Sequence, residues 1–166
     1  MKKTKKVIKV LTDTLMTIIL VCGLGFIVAY LAGIEPYVVK TGSMRPGIEP
    51  GSLSFINKNV VYDDIKVNDI IAFSIPTGDK VTHRVVNITE EGFETKGDMN
   101  DSKDGIVTTR NNFIGKNIFT IPKLGQLVNF IQTVYGKIIL IVIIILILVN
   151  GFLSDVGKNG KRYKSE

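Results

Sequence analysis

Two long uncharged stretches enclose a polar, turn-rich middle. Residues 14–34 are 21 consecutive uncharged positions, about 31 Å as a helix at ~1.5 Å per residue, which matches a bilayer's hydrocarbon thickness. Ile138 to Ser154 adds 17 uncharged positions and is longer than the ~5–6 residues of a typical strand. We expect two transmembrane helices, over residues 14–34 and 134–154.

The middle, residues 35–133, alternates short apolar segments with turn signals such as Pro50-Gly51 and Thr77-Gly78. The pattern predicts strands over residues 36–41, 52–57, 69–75, 80–89, 92–96 and 112–121. No long amphipathic helix is predicted between them, so crossover connections are absent and antiparallel pairing is favoured. The predicted fold class is therefore mainly β, a small antiparallel barrel-like or sandwich domain flanked by two transmembrane helices.

The net charge of +6 is concentrated at the two ends. Five lysines lie in the first nine residues, whereas positions 10 to 157 hold twelve basic and fourteen acidic residues. The middle is therefore not expected to bind nucleic acid. Positive flanks predict cytoplasmic tails at 1–13 and 155–166 and an extracytoplasmic domain at 35–133. A cleaved signal peptide is the alternative for the first stretch, but apolar signal cores are only ~7–15 residues long.

Three polar segments in the middle are candidates for chemistry. Ser43 follows a glycine and precedes a proline, a corner that suits either an exposed nucleophile or an ordinary turn serine. His83 is the one histidine; on a strand it shares a face with Val81 and Val85, as a base or as a structural residue. The one cysteine, Cys22, lies in the first uncharged stretch, so no disulfide or Cys-based metal site is expected.

The third segment, residues 97–105, holds three aspartates. Oxygen-bearing side chains at positions 98, 100, 102 and 104 have the spacing of a calcium-binding loop. Lys103 and Thr109, however, stand where that loop requires glycine and a bidentate glutamate. A solvated acidic turn is the other simple interpretation of this segment.

Together, the three segments resemble the signature boxes of a type I signal peptidase, and more narrowly its ER-type (SipW-like) branch. The resemblance extends from about Val39 to Gly115 and rests on three motifs in this order: Gly42-Ser43-Met44-x-Pro46, Thr82-His83-Arg84-Val85-Val86 and Lys96-Gly97-Asp98-x-Asn100-x-x-x-Asp104.

The resemblance implies roles for these residues. Ser43 corresponds to the nucleophile, His83 to the general base and Asp104 to the carboxylate that orients the imidazole. Asp98 and Thr41 correspond to supporting positions. The site would need no metal ion or other cofactor.

One alternative base remains. Most bacterial signal peptidases carry a lysine where the ER-type branch has histidine, so Lys80 is a rival to His83. Strand alternation, however, places Lys80 on the opposite face.

The implied function is that of a membrane-bound serine endopeptidase that removes N-terminal signal peptides after small residues. It would be a multi-pass protein of the cell membrane, with signal-peptide-bearing pre-proteins and the lipid bilayer as partners and the secretion machinery as a further candidate. Ser43 follows the first span by only nine residues, so enzyme and substrate would share one surface. The alternative hypothesis is a non-catalytic membrane-anchored β-domain that serves as an assembly or chaperone subunit.

Overall fold

The computed structural model describes residues 2–162, without the side chains of residues 2–5, 8, 148 and 150–162. In chain order the elements are α1 (Lys2–Leu31), β1 (Ile34–Val38), β2 (Leu53–Asn57), β3 (Ile70–Ser74), β4 (Lys80–Ile88), β5 (Phe93–Lys96), β6 (Val107–Thr108), β7 (Phe113–Ile121), α2 (Leu124–Gln132) and α3 (Val134–Arg162). Residues 23–128 form one compact unit, and the rest of the described chain is a separate helical unit.

The seven strands form one antiparallel sheet in the order β1-β2-β7-β3-β4-β5-β6. The predicted mainly-β, antiparallel fold is confirmed, and the six predicted strands agree with the observed ones within three residues at each end. Strand β6 and helix α2 were not predicted. A two-residue strand has no readable alternation, and the nine residues of α2 are too few to establish a helical period.

The sheet is curved into a half-barrel. Tyr37 on β1 and Lys80 on β4 are separated by three strands in the sheet order, yet the Lys80 Nζ donates a hydrogen bond to the Tyr37 hydroxyl at 3.2 Å. This contact requires a curved sheet, because the right-handed twist of the strands accumulates from one strand to the next. The curvature brings the loop that follows β1 towards β4.

Alternating apolar positions of the central strands form the core. Ile71 and Phe73 of β3, Val85 of β4 and Phe93 of β5 pack together and are at most 3% exposed. Burying each such side chain contributes about 1.5–3 kcal/mol. His83 lies two positions from Val85 and opposite Ile71 in the β3–β4 register, so the imidazole stands at the edge of this core.

Helix α1 is long and apolar enough to cross a membrane over Lys9–Leu31, with a mean hydropathy of 2.4. It begins at Lys2, so most of the predicted tail at 1–13 is helical. Helix α3 begins at Val134, but within the described residues it is not by itself a second membrane-spanning helix. Its described apolar part, Val134–Ile147, reaches the length of a span only together with α2, across a bend at Thr133.

Local contacts determine where α2 and α3 begin. The Thr133 hydroxyl accepts a hydrogen bond from the Gly136 N–H at 3.0 Å, the interaction expected of an N-cap residue with the third residue of a helix. Gly125 of α2 packs so closely on the β2 side that a Cβ there would lie 2.5 Å from the Ser52 carbonyl oxygen.

The predicted tail at 155–166 belongs to the part of the chain whose side chains are not described, and its last four residues lie outside the described chain.

The close pairing of β2 and β7 predicts that Gly115→Ala destabilises the domain. A Cβ on Gly115 would lie 2.3 Å from the Asn57 carbonyl oxygen, so the strands must separate, at a cost of about 1–3 kcal/mol. Gly105→Ala is the matched control because no atom lies within 4 Å of its Cβ position. Urea unfolding of the full chain in detergent compares the two variants. Equal unfolding midpoints for Gly115→Ala and the wild-type protein would contradict the prediction.

Candidate active site

Ser43 lies in the loop between β1 and β2. The loop is closed at its base by a hydrogen bond from the Val39 N–H to the Ser52 carbonyl at 3.0 Å. Two apolar side chains of the loop, Met44 and Ile48, are only 2% and 4% exposed. Because both are anchored in the interior, the serine beside them is held in a defined position at the surface of the domain.

His83 lies on β4 and is 7% exposed. Its ring and that of Phe73 meet in a T-shaped arrangement, with 6.3 Å between the ring centroids. On one side, the His83 Nε2 lies 3.0 Å from the Ser43 Oγ, although 40 residues separate the two in sequence. On the other side, the His83 Nδ1 lies 2.7 Å from the Asp104 Oδ2.

These contacts determine the direction of the hydrogen bonds. An ionised carboxylate can only accept, so the Nδ1–H donates to Asp104. A neutral imidazole then carries its lone pair on Nε2, and the Ser43 hydroxyl donates to that nitrogen. The structure therefore brings together the three residues predicted as nucleophile, base and orienting carboxylate, in an arrangement suited to proton transfer from a serine.

Thr41, predicted as a supporting residue, lies beside the serine. Its Oγ1 is 3.3 Å from the Ser43 Oγ, and the residue is exposed and beyond the end of β1. Within the described chain, the backbone N–H of Ser43 has no hydrogen-bond acceptor. The serine corner therefore presents a free N–H and a second hydroxyl next to the nucleophilic oxygen.

Asp98, the other predicted supporting residue, forms a two-point ion pair with Arg84. The Arg84 Nε and Nη2 donate to the two carboxylate oxygens at 2.8 and 2.7 Å. This pairing raises the pKa of the Arg84 guanidinium. A Cβ on Gly47 would lie 2.6 Å from the Asp98 Oδ2, so the ion pair packs directly against the serine loop. Asp98 therefore joins β4 to the acidic loop rather than contacting the serine hydroxyl.

Gly97 was quoted within a motif but given no role by the sequence analysis. A Cβ at this position would lie 2.6 Å from the Ser43 carbonyl oxygen and 3.0 Å from the Ser43 Cβ. The same carbonyl accepts a hydrogen bond from the Met99 N–H at 2.8 Å. Gly97 therefore permits the close contact through which the acidic loop supports the nucleophile.

Thr95 on β5 was missed altogether. Its Oγ1 donates to the Asp104 Oδ2 at 2.6 Å, and the residue is 0% exposed. A signal for it did exist, since Thr95 lies two positions after Phe93 on β5 and therefore shares its inward face. A polar residue at an inward position beside an acidic motif indicates a buried hydrogen-bond partner.

The alternatives left open by the sequence are not favoured by these contacts. Lys80 is engaged with Tyr37, since its Nζ lies 4.6 Å from the centre of the Tyr37 ring. Two of the proposed calcium ligands, Asp98 and Asp104, accept hydrogen bonds from protein donors. Among the described residues, no group of three or more His, Cys, Asp or Glu side chains is arranged to hold a metal ion.

Comparison with known proteins identifies relatives of this chain. It is 33% identical to Signal peptidase I W of Bacillus subtilis over 60% of the chain and 58% of that protein. It is 32% identical to the Signal peptidase complex catalytic subunit sec11 of Neurospora crassa over 53% of the chain and 58% of that protein. The chain thus spans somewhat over half the length of these relatives.

The family match covers most of the structure described above. Residues 11–118 match the family described as "Signal peptidase, peptidase S26". The matched range contains most of α1, six of the strands in full, and each of the residues Ser43, His83 and Asp104. The chain therefore belongs to the signal peptidase family.

Proposed function

We propose that this protein is a membrane-bound serine endopeptidase that removes N-terminal signal peptides from secretory pre-proteins, with Ser43, His83 and Asp104 as its catalytic residues. The observation that carries the proposal is the continuous hydrogen-bonded series from the Ser43 hydroxyl through the His83 ring to the Asp104 carboxylate, at 3.0 and 2.7 Å. Both contacts lie within the range of ordinary hydrogen bonds.

The reaction follows from the direction of these hydrogen bonds. As the Ser43 Oγ attacks the scissile carbonyl carbon, the His83 Nε2 takes the hydroxyl proton, and Asp104 stabilises the resulting imidazolium. The imidazolium then gives that proton to the leaving amine, and an acyl-enzyme remains on Ser43. Water, deprotonated by the same imidazole, hydrolyses the ester and restores the serine.

The negative oxygen of the tetrahedral intermediate requires hydrogen-bond donors. The backbone N–H of Ser43 is one candidate because its hydrogen is not used by the described part of the chain. The Thr41 hydroxyl, 3.3 Å from the Ser43 Oγ, is close enough to supply another. Removing one such donor typically reduces kcat by about 10²–10³-fold.

The proposed topology has two spans, at residues 14–34 and 134–154, with both tails cytoplasmic and residues 35–133 extracytoplasmic. Apolar side chains are exposed all around the middle of α1, since the four consecutive residues from Ile18 to Val21 are 50–67% exposed. Such a surface requires a lipid or protein cover. Five lysines in the first nine residues precede the uncharged stretch 14–34, which supports a cytoplasmic amino terminus.

The proposed substrates are signal-peptide-bearing pre-proteins, cut after small residues. Both relatives are named as signal peptidases or as part of a signal peptidase complex, which supports this substrate class and makes partner subunits and the secretion machinery further candidates. A membrane anchor would hold the enzyme and the signal segment at one surface, which raises their effective concentration.

The nucleophile is tested by Ser43→Ala. Cleavage of a secretory precursor in detergent or proteoliposomes should fall by at least about 10⁴-fold, because no other group replaces the attacking oxygen. His83→Ala should cause a loss of similar size. Gel separation of precursor from mature protein gives the rates.

Two control variants make this test specific. Ser102→Ala removes an exposed hydroxyl, and Lys80→Ala removes the rival base; both should retain the wild-type rate within a few-fold. Retained cleavage by Ser43→Ala would exclude Ser43 as the nucleophile. Absence of cleavage by the wild-type protein, with the chain folded, would instead favour the non-catalytic assembly or chaperone hypothesis.

The topology is tested with single cysteines in a Cys22→Ser background. A membrane-impermeant maleimide applied to intact cells should label Ser102→Cys, which lies in the exposed acidic loop. Lys6→Cys and Lys161→Cys should be labelled only after permeabilisation, because both tails are proposed to be cytoplasmic.

Each position tests one part of the topology. Labelling of Lys6→Cys in intact cells would show that the first span has the opposite orientation to the one proposed. Labelling of Lys161→Cys alone would leave the first span in place and exclude the second.

A further inference from the structure

Thr95 is a fully buried threonine attached twice to Asp104. Its hydroxyl donates to the Asp104 Oδ2 at 2.6 Å, and its carbonyl accepts the Asp104 N–H at 2.8 Å. Because Thr95 lies on β5 and pairs with Val85 of β4, the sheet itself determines where this hydroxyl lies. The aspartate belongs to an irregular loop, and Thr95 connects it to regular structure.

The oxygen that Thr95 contacts is also the one that faces the imidazole. Asp104 Oδ2 lies 2.6 Å from the Thr95 Oγ1 and 2.7 Å from the His83 Nδ1. Since a carboxylate has no proton to donate, the threonine hydroxyl must be the donor. Two donors on a single oxygen restrict the rotation of the carboxylate and withdraw part of its negative charge.

We infer that Thr95 is a positioning residue for the hydrolytic reaction: it acts through Asp104 to hold the His83 ring in the orientation that accepts the Ser43 proton. The inference rests on the proposed function. Thr95 has no direct contact with the Ser43 hydroxyl and is sealed from solvent, so it does not act on substrate itself.

The chain supplies a matched control in the next strand. Thr108 on β6 is also 0% exposed, but its Oγ1 has no hydrogen-bond partner in the described structure. Replacing either threonine with valine keeps a branched side chain of the same shape and removes one buried hydroxyl. The two variants therefore differ mainly in whether a hydrogen bond to the carboxylate is lost.

The test uses the full chain in detergent micelles and an internally quenched peptide with an Ala-x-Ala cleavage sequence, the pattern of signal-peptide cleavage sites. Thr95→Val should reduce kcat by about 10- to 100-fold, the worth of a hydrogen bond to a charged group, with little change in KM. Thr108→Val should retain the wild-type kcat, and Thr95→Ser, which keeps the hydroxyl, should recover most of the lost rate.

The pH profile separates positioning from simple destabilisation. The ionisable groups at this oxygen are Asp104 and His83; the neighbouring Arg84 and Asp98 are paired with each other. Without the threonine donor, the carboxylate holds the protonated imidazole more strongly, so the rate should begin to fall at a higher pH on acidification. A loss of folded protein alone would lower the rate without changing the pH at which the rate begins to fall.

The outcomes distinguish the two proposals. If Ser43→Ala is inactive while Thr95→Val keeps the wild-type kcat and pH profile, the Thr95 inference is wrong and the proposed function stands. If Thr95→Ser is as slow as Thr95→Val, the hydroxyl is not the relevant group and the inference also fails. If Thr95→Val unfolds at a lower temperature than Thr108→Val, the rates are measured on folded protein, and an unchanged pH at which the rate falls on acidification overturns the inference. If the wild-type protein cleaves no substrate, both proposals fall together.

Discussion

An imidazole can relay a serine proton only if both of its nitrogens have the right partner at once. In this chain the requirement falls on the one histidine, whose partners lie 40 residues before it and 21 residues after it. No local interaction can hold groups so far apart in sequence. The fold must therefore place a loop end, a strand and an acidic loop within hydrogen-bond distance of one another.

The sheet meets this requirement through curvature and through a few close contacts. Curvature brings the loop after β1 to β4, and the Arg84–Asp98 ion pair joins β4 to the acidic loop. Gly97 lets that loop approach the backbone of the nucleophile, where a Cβ would lie 2.6 Å from the Ser43 carbonyl oxygen. Three separate segments thus support one small site, and the apolar core beneath His83 keeps the ring from moving away.

Much of this structure could be predicted from the sequence, for identifiable reasons. Strands such as β4 can be predicted from the alternation of apolar and polar residues. The motifs around Ser43, His83 and Asp104 predicted a nucleophile, a base and an orienting carboxylate from the sequence alone. Helix α2 was missed because nine residues carry little periodicity. Thr95 was missed because its role depends on which strand lies beside which. The second span remains a proposal because the described apolar part of α3 is short.

The direct test of the site is to determine which nitrogen of His83 carries the proton. Because the chain has one histidine, ¹⁵N-histidine labelling gives a single imidazole in an NMR spectrum of the micelle-bound protein. In the neutral imidazole, we expect the proton on Nδ1 and an unprotonated Nε2, with the Nδ1 proton signal lost or strongly shifted in Asp104→Asn. A proton on Nε2 throughout the pH range would contradict proton transfer from Ser43 to His83.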